Sequence, residues 1–129
     1  CALLIAATFT AIGQQCHAQG FEASLPTHGP HVDALEPGGF AEAIRARITE
    51  ADGVVSVHWP GDQAVVVESV LASLLGKPQV ILAPGSSAVP RMLRALPGVE
   101  VVEISRDQSS VREGIKSLIR RVEADWASR

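Results

Sequence analysis

Aromatic and sulfur-containing side chains are scarce in this chain of 129 residues. It has no tyrosine, three phenylalanines, two tryptophans and two cysteines. Proteins that bind single-stranded nucleic acid without sequence preference stack bases on rows of aromatic side chains, which so few aromatics do not provide. Cys1 and Cys16 have neither the spacing of zinc ligands nor the density of a disulfide-stabilised scaffold. We therefore expect neither a zinc site nor a disulfide-stabilised scaffold.

Basic patches are also missing. Eleven Lys and Arg residues against fourteen Asp and Glu residues give a formal net charge of −3, and the basic residues do not cluster. A nucleic-acid-binding protein concentrates positive charge on one surface to contact phosphates. We therefore expect no nucleic-acid partner. A small anion remains compatible, because a helix N-terminus binds anions without a net positive charge.

The apolar stretch near the start of the chain, residues 3–12, is too short to span a membrane, which takes about 20 residues. It resembles the apolar segment of a signal peptide, but no basic residue precedes it. We interpret its first part as a buried strand, and we predict a cytoplasmic protein that does not associate with a membrane.

Apolar runs alternate along the chain with segments of helical periodicity. The predicted strands are residues 3–8, 21–25, 54–57, 80–83 and 99–104, and the predicted helices are residues 10–19, 40–50, 64–75, 89–96 and 111–126. Such alternation is typical of a parallel sheet covered on both faces. We predict a single α/β domain over residues 1–129, a three-layer sandwich with a five-stranded parallel sheet of flavodoxin-like or Rossmann-like type.

Residues 26–39 are predicted to form a long loop, because they contain three prolines and three glycines. Within it, His28, His31 and Asp33 are the nearest approach to a set of metal ligands. Their spacing is loose and no cysteine joins them, so we interpret them as solvated loop residues. We predict no metal and no cofactor.

Two carboxylates, Asp62 and Glu68, follow the central predicted strand. Asp62 lies in the short loop after the strand, and Glu68 lies in the opening turns of the next helix. Ligands of parallel α/β sheets bind beyond the carboxyl ends of the strands, where a carboxylate can act as nucleophile or proton shuttle. The alternatives are a helix-start acid favoured by the dipole for Glu68 and an ordinary turn residue for Asp62.

Further candidates for binding lie at the ends of two predicted strands. His58 and Trp59 end the central strand, where Trp59 can stack on a base or a sugar, or pack under the loop. Gly85, Ser86 and Ser87 connect the next strand to a helix. Their backbone N–H groups and hydroxyls can hold a 5′-phosphate. The alternative is a simple turn in which Ser87 caps the helix.

The spacing of these residues resembles the nucleoside 2-deoxyribosyltransferase family and its nucleotide N-glycosidase relatives. In that family a loop Asp-x-Gly-Thr precedes a catalytic glutamate, on a helix that ends in Ala-x-x-x-Gly-Lys-Pro. Here Asp62 and Glu68 are separated by five residues, and Glu68 and Gly76-Lys77-Pro78 by seven. The resemblance covers about residues 20–85. It implies that Glu68 is the catalytic glutamate and Asp62 the loop acid.

Other positions match the family in part. Asp52 stands for the acid before the strand, Ala72 for the helix alanine, and residues 20–26 for the family's second strand. The family's Gly-Thr is replaced by Ala64-Val65. Its Tyr-Leu-Ala-Gly-Pro opening falls near residues 4–8 without Tyr, Gly or Pro, which leaves Thr8 as a candidate for substrate binding.

TIR domains and the lysine-decarboxylase-like nucleotide phosphoribohydrolases have a similar strand, glutamate and helix. Members of these families cleave N-glycosidic bonds, so the resemblance implies cleavage or transfer of such a bond in a nucleoside or nucleotide. The alternative is a module that binds a nucleotide or an NAD derivative without catalysis, or a TIR-like interaction domain. The resemblance also implies a homo-oligomer.

Overall fold

The computed structural model describes residues 2–5, 17, 18, 20, 22–24, 37–58, 63–85, 89–104 and 109–128. In chain order the elements are β1 (Ala2–Ile5), β2 (Glu22–Ser24), α1 (Pro37–Glu50), β3 (Gly53–Val57), α2 (Gln63–Leu74), β4 (Gln79–Ala83), α3 (Arg91–Arg94), β5 (Val99–Glu103) and α4 (Ser109–Ala127). From β2 onward strands and helices alternate, as the apolar pattern predicts, and the predicted helix 10–19 lies mostly outside the described residues.

The strands form one parallel sheet in the order β2-β1-β3-β4-β5. Three strands, β3 to β5, have five residues each, whereas β1 and β2 have four and three. Val54 pairs with Gln79 and Val57 with Leu82. This is the flavodoxin-like order, in which the chain goes from β1 to β2 and then returns to β3 on the other side of β1. The predicted α/β class with a parallel sheet is confirmed.

The long helix α4 covers one face of β3, β4 and β5. Its buried side chains recur with the helical periodicity of the predicted helix 111–126 and pack against alternate residues of β3 and β4. The residues of this cluster are Val55, Val57, Val80, Leu82, Val111, Ile115, Leu118, Ile119 and Val122. Full burial of one such side chain stabilises the fold by about 1.5–3 kcal/mol, so this layer is a major source of stability.

The helices α1, α2 and α3 cover the opposite face. The helix α1 contacts β1 and α2, α2 lies on β3 and β4, and α3 contacts α2 and β5. Ile48 of α1 and Ala72 of α2 pack with Val54 of β3, and Leu93 of α3 packs with Ile81 of β4. Helices therefore lie on both faces of the sheet, in three layers.

Two predicted helix boundaries are wrong, and the last residue of the predicted helix 111–126 is partly exposed. Residues 37–39 belong to α1 rather than to the loop, because the fixed φ of Pro37 suits the first turn of a helix. The predicted helix 89–96 is reduced to Arg91–Arg94, with Pro90 at its N-cap. Trp126 is 38% exposed. The 19 residues of α4 extend about 28 Å, well beyond a strand of about 17 Å, so its last turn passes the sheet edge.

Arg121 of α4 binds the amino ends of β4 and β5. Its Nη1 donates to the carbonyl oxygen of Gly98 at 2.7 Å, and its Nη2 donates to that of Gln79 at 2.9 Å. Glu100 lies 3.5 Å from the guanidinium and accepts a hydrogen bond from Ser117 at 2.7 Å. Burial lowers the pKa of Arg121 and Glu100 opposes that shift, and an arginine remains charged throughout the neutral range.

We expect Arg121→Met to lower the free energy of unfolding by about 1–3 kcal/mol, because two backbone carbonyls lose a charged donor. Equilibrium unfolding in urea measures this loss. The exposed neighbour Arg120 on the same helix provides a matched control, and Arg120→Met should change the stability by less than about 0.5 kcal/mol. Equal losses in the two variants would contradict this role of Arg121.

Candidate functional site

A crevice is expected at the carboxyl edge of the sheet, where β1 and β3 lie side by side. The register pairs Leu3 with Gly53 and Ile5 with Val55. The chain leaves β1 toward β2 and leaves β3 toward β4, so the two connections diverge. Doubly wound sheets bind their ligands at such a topological switch point. The start of α2 and His58 lie at this edge.

The helix α2 returns from this edge across the face of β3. Ala72 packs in one cluster with Val54, near the amino end of that strand. Glu68 precedes Ala72 by four residues, about 6 Å along the helix axis. Ser56 follows Val54 by two residues, about 7 Å along the strand. Glu68 therefore stands over the carboxyl half of β3, at the level of Ser56.

The side chain of Glu68 lies on the side of α2 that faces α1. Residues three, four and seven positions later, Leu71, Ala72 and Leu75, lie on the same stripe and pack in one cluster with Ile48 of α1. Glu68 is half-buried, and its Oε2 is shielded from solvent. The carboxylate thus lies near the switch point, among α1, α2 and β3, and a shielded carboxylate in such a position is a candidate for catalysis.

The alternative of a helix-start acid is wrong for Glu68. The helix begins at Gln63 and has no acidic residue in its first turn. Glu68 is the sixth residue, and the attraction of the helix dipole for a carboxylate falls off within the first turn. The position of Glu68 is therefore not explained by the dipole.

Buried polar side chains share the face of the sheet beneath α2. Ser56, Ser69 and Gln79 have no exposed surface, and His58 is 3% exposed. Side chains alternate along a strand, so Val54, Ser56 and His58 point to one face, and the register adds Gln79 to it. The hydroxyls of Ser56 and Ser69 have no hydrogen-bond partner within the described ranges.

Sequence reasoning missed Ser56, Ser69 and Gln79 as parts of this region. Burial of a polar group costs free energy unless it is hydrogen-bonded, so polar residues inside an apolar layer point to a specific role. The available signal was the interruption of an apolar strand by Ser56, between Val55 and Val57. The strand pattern by itself did not show that Ser69 and Gln79 lie on the same face.

Three of the eight predicted site residues lie in the described ranges, and all three are at the carboxyl side of the sheet. His58 follows β3, and its backbone N–H donates to the carbonyl oxygen of Leu82 at 2.8 Å. Gly85 follows β4 by two residues, beside the end of β3. Glu68 stands above β3. The other five lie outside the described residues, and their roles stay predictions: Thr8, Trp59, Asp62, Ser86 and Ser87.

The predicted capping role of Ser87 is wrong. The helix α3 begins at Arg91, its N-cap is Pro90, and no side chain donates or accepts a capping hydrogen bond there. Val89 is buried against Ile81, which draws the chain onto the sheet before the helix begins. A four-residue helix has few aligned peptide dipoles. The dipole of α3 therefore does not explain phosphate binding at residues 85–87.

Gly76, in the Gly-Lys-Pro segment, ends α2. Its φ of 71° is the left-handed conformation that glycine adopts without strain. Its N–H donates to the carbonyl oxygen of Ser73 at 3.0 Å, and the N–H of Lys77 donates to that of Ala72 at 2.9 Å. This pair of bonds is a Schellman motif, which satisfies the last carbonyls of the helix.

Lys77 and Pro78 join the end of α2 to its neighbours. The Nζ of Lys77 donates to the carbonyl oxygen of Thr49, in the last turn of α1, at 3.0 Å. The carbonyl oxygen of Pro78 accepts from the N–H of Val54 at 3.0 Å. In this chain the Gly-Lys-Pro segment therefore has a structural role at the amino edge, opposite the carboxyl edge of the sheet.

Metal-ligand clusters and membrane-spanning helices are absent from the part of the chain that the structure describes. No three His, Cys, Asp or Glu side chains there lie close enough together to hold a metal ion. No helix there is both long enough and apolar enough to cross a bilayer. His28, His31 and Asp33 lie outside the described residues, so the prediction about them stays a prediction.

No family model and no curated protein matches this chain. Solved structures do share its fold. The CMP N-glycosidase BcmB of Clostridium botulinum is 14% identical, with a TM-score of 0.68 over 88% of this chain and 96% of that one. A 2-deoxyribosyltransferase of Bacillus psychrosaccharolyticus is 16% identical, with a TM-score of 0.63 over 92% of this chain and 96% of that one. A de novo designed Rossmann 2x3 protein is 12% identical, with a TM-score of 0.59 over 93% of this chain and 89% of that one.

These similarities show a Rossmann-like fold. Two of the three structures are a CMP N-glycosidase and a 2-deoxyribosyltransferase, so the fold that the sequence resemblance implies is confirmed. A designed protein has the same fold. Fold alone therefore assigns no activity, which has to be argued from the site.

We expect Gly76→Ala to lower the free energy of unfolding by about 1–2 kcal/mol, because an L-residue is strained in the left-handed conformation. A Cβ at this position would meet no atom within 4 Å, so the loss comes from backbone strain. Gly76→Asn is the control and should lose less, because asparagine tolerates this conformation. Urea unfolding of both variants tests this, and an equal loss would argue against backbone strain.

Proposed function

We propose that this protein is an enzyme that cleaves or transfers the N-glycosidic bond of a nucleoside or nucleotide, with Glu68 as the catalytic carboxylate. The observation that carries the proposal is the position of Glu68. Its carboxylate is partly shielded from solvent and stands over the carboxyl half of β3, on the side of α2 that faces the switch point. A small-molecule ligand of a doubly wound sheet binds at that place.

The reaction requires a carboxylate in such a position. When the bond between C1′ and the base nitrogen breaks, its electron pair leaves with the base and positive charge develops at C1′. A carboxylate stabilises this charge or attacks C1′ to form a glycosyl ester. A proton from an acid neutralises the departing base. Water then completes a hydrolysis, or a second base completes a transfer.

The remaining predicted residues take roles around Glu68. Asp62 is the proposed proton donor to the departing base, and Trp59 stacks on the base or the sugar. His58 is the buried member of the group, at the end of β3. Thr8, which lies outside the described residues, is a further proposed substrate contact. Backbone N–H groups at Gly85 and the two serines after it hold the 5′-phosphate of a nucleotide.

One observation favours a second function. Ala64-Val65 stands where the resembled family has Gly-Thr, so a hydroxyl and a glycine that permits close approach are both missing. A binding module could retain the crevice and lose catalysis in this way. The second candidate is therefore a non-catalytic module for a nucleotide or NAD derivative, or a TIR-like interaction domain.

We expect the wild-type protein to release free base from at least one member of a panel of ribo- and deoxyribonucleosides, their 5′-monophosphates and NAD. Glu68→Gln should lower the rate by about 10²–10⁴-fold, because the amide cannot stabilise or capture the cation at C1′. Chromatography of the released base measures the rate. Glu50→Gln removes an exposed acid from α1 and is the control.

Undiminished release by Glu68→Gln would contradict the mechanism. If no compound releases base, thermal shift with the same panel decides between the remaining functions. A stabilised protein without turnover would be a binding module, since a ligand stabilises the state that binds it. An unchanged melting temperature with every compound would leave the interaction domain.

We also propose that the protein forms a homo-oligomer through the outer face of α2 and α3. Val67, Val70, Leu74 and Met92 are 58%, 38%, 79% and 82% exposed. An apolar cavity of about 370 Å³ adjoins them and is lined by Val66, Val70, Pro90, Met92, Leu93, Ala95 and Leu96. A second copy fits this face because it brings the same protruding side chains and the same cavity, which gives a self-complementary contact.

We expect light scattering to show a dimer or a higher oligomer that Leu74→Glu dissociates, because a buried unpaired carboxylate destabilises an interface. Arg112→Glu changes an exposed residue of α4 on the other side of the sheet and should leave the mass unchanged. A monomeric wild-type protein at high concentration would contradict this surface.

A further inference from the structure

Gln79 is a fully buried amide at the first position of β4. Glutamine is seldom buried completely, and its burial costs free energy unless the amide is hydrogen-bonded. Here the side-chain Nε2 donates to the carbonyl oxygen of Ser69 in α2 at 2.9 Å. The bond crosses from the sheet to the helix in the interior of the protein.

The backbone of Gln79 is itself fixed by two hydrogen bonds. Its N–H donates to the carbonyl oxygen of Gly98 at 2.9 Å, and its carbonyl oxygen accepts from Nη2 of Arg121 at 2.9 Å. Arg121 belongs to α4, on the opposite face of the sheet. The side chain of Gln79 therefore starts from a backbone that is held in place, and its amide reaches the turn of α2 that contains Ser69. Ser69 is the residue after Glu68.

Apolar packing alone does not determine the rotation of α2 about its axis. The inward side has Val65, Ser69 and Ala72, which are 2%, 0% and 0% exposed, and the outward side has Val67 and Leu74, which are 58% and 79% exposed. Because apolar residues lie on both sides, the helix can bury a similar apolar area in several rotations. Glu68 is its one charged residue, so its direction depends on which rotation the fold selects.

We propose that Gln79 is a positioning residue that selects the rotation of α2 and so directs Glu68 toward the crevice. A hydrogen bond is directional, and Nε2 of Gln79 reaches the carbonyl of Ser69 when that turn faces β4. The same rotation turns Glu68 toward α1. Gln79 acts through the Ser69 turn from the amino edge of the sheet and does not contact the substrate. The inference rests on the proposed function of Glu68.

Gln79→Met tests this, because methionine has nearly the same length and no donor. We expect kcat to fall by about 10–100-fold, as a displacement of about 1 Å at a catalytic group produces, with KM within about twofold of the wild-type value. Ser73→Ala is the matched control. It removes a hydrogen bond from the same helix to the carbonyl oxygen of Pro97, at 3.1 Å, and should leave kcat unchanged.

A second readout does not depend on activity. Val66 packs with the cluster that contains Leu93, so methyl-labelled wild-type protein gives nuclear Overhauser effects between these two residues. Rotation of α2 in Gln79→Met should weaken them, and Ser73→Ala should retain them. If the wild-type protein shows no turnover, the proposed function fails and this comparison alone decides the inference about Gln79.

Two results would overturn the inference: an unchanged kcat in folded Gln79→Met, or unchanged Val66–Leu93 effects in that variant. If Gln79→Met does not fold, Gln79→Glu replaces it. A buried carboxyl group is protonated more readily and can then donate to the carbonyl of Ser69. We expect the Val66–Leu93 nuclear Overhauser effects in Gln79→Glu to weaken as the pH is raised, because the carboxyl group then loses the proton that it donates. Effects that do not depend on pH would contradict the inference.

Discussion

The position of α2 over β3 and β4 determines where the one charged side chain of that helix lies. The helix has apolar side chains both on its inner side, such as Ala72, and on its outer side, such as Leu74. Burial alone therefore does not determine how α2 is rotated about its axis or where it ends. Directional hydrogen bonds determine both. The amide of Gln79 binds the middle of the helix, and the Schellman motif at Gly76 ends it. The place of Glu68 depends on both.

The two edges of the sheet have different roles. At the amino edge, Arg121 and Lys77 donate to backbone carbonyls of elements that are distant in the sequence. These bonds connect α4 with β4 and α1 with the end of α2. At the carboxyl edge, by contrast, His58, Glu68 and Gly85 stand near the point where the strand order reverses. These long-range hydrogen bonds thus stabilise the amino edge, and the proposed site lies at the opposite edge.

The Gly-Lys-Pro segment belongs to the sequence pattern of the resembled families, but its contacts in this structure are structural. The segment is part of the pattern that resembles the N-glycosidase families, yet here it contacts α1 and β3 rather than the crevice. The pattern therefore joins the proposed catalytic residue, Glu68, to residues that hold its helix in place. A spacing of seven residues between them, about two turns, corresponds to the distance between the site and the opposite end of α2.

Sequence patterns predicted the elements well where burial is periodic. The stripe from Val111 to Val122 and the buried runs of β3 and β4 appear as expected, because local periodicity decides which face is covered. The same reasoning failed where length and proline decide. The end of α4 at Trp126 passes the sheet, and Pro90 delays the start of α3. Neither effect is visible in a hydrophobic pattern.

The amino-acid sequence by itself determined the layered parallel α/β class and singled out Glu68, since both follow from short-range spacing along the chain. Only the tertiary structure decided that Glu68 faces α1, and that Ser56, His58, Ser69 and Gln79 share one side of the sheet. Those relations depend on strand register and helix rotation. Both are determined by contacts between segments that are distant in sequence, so no local pattern contains them.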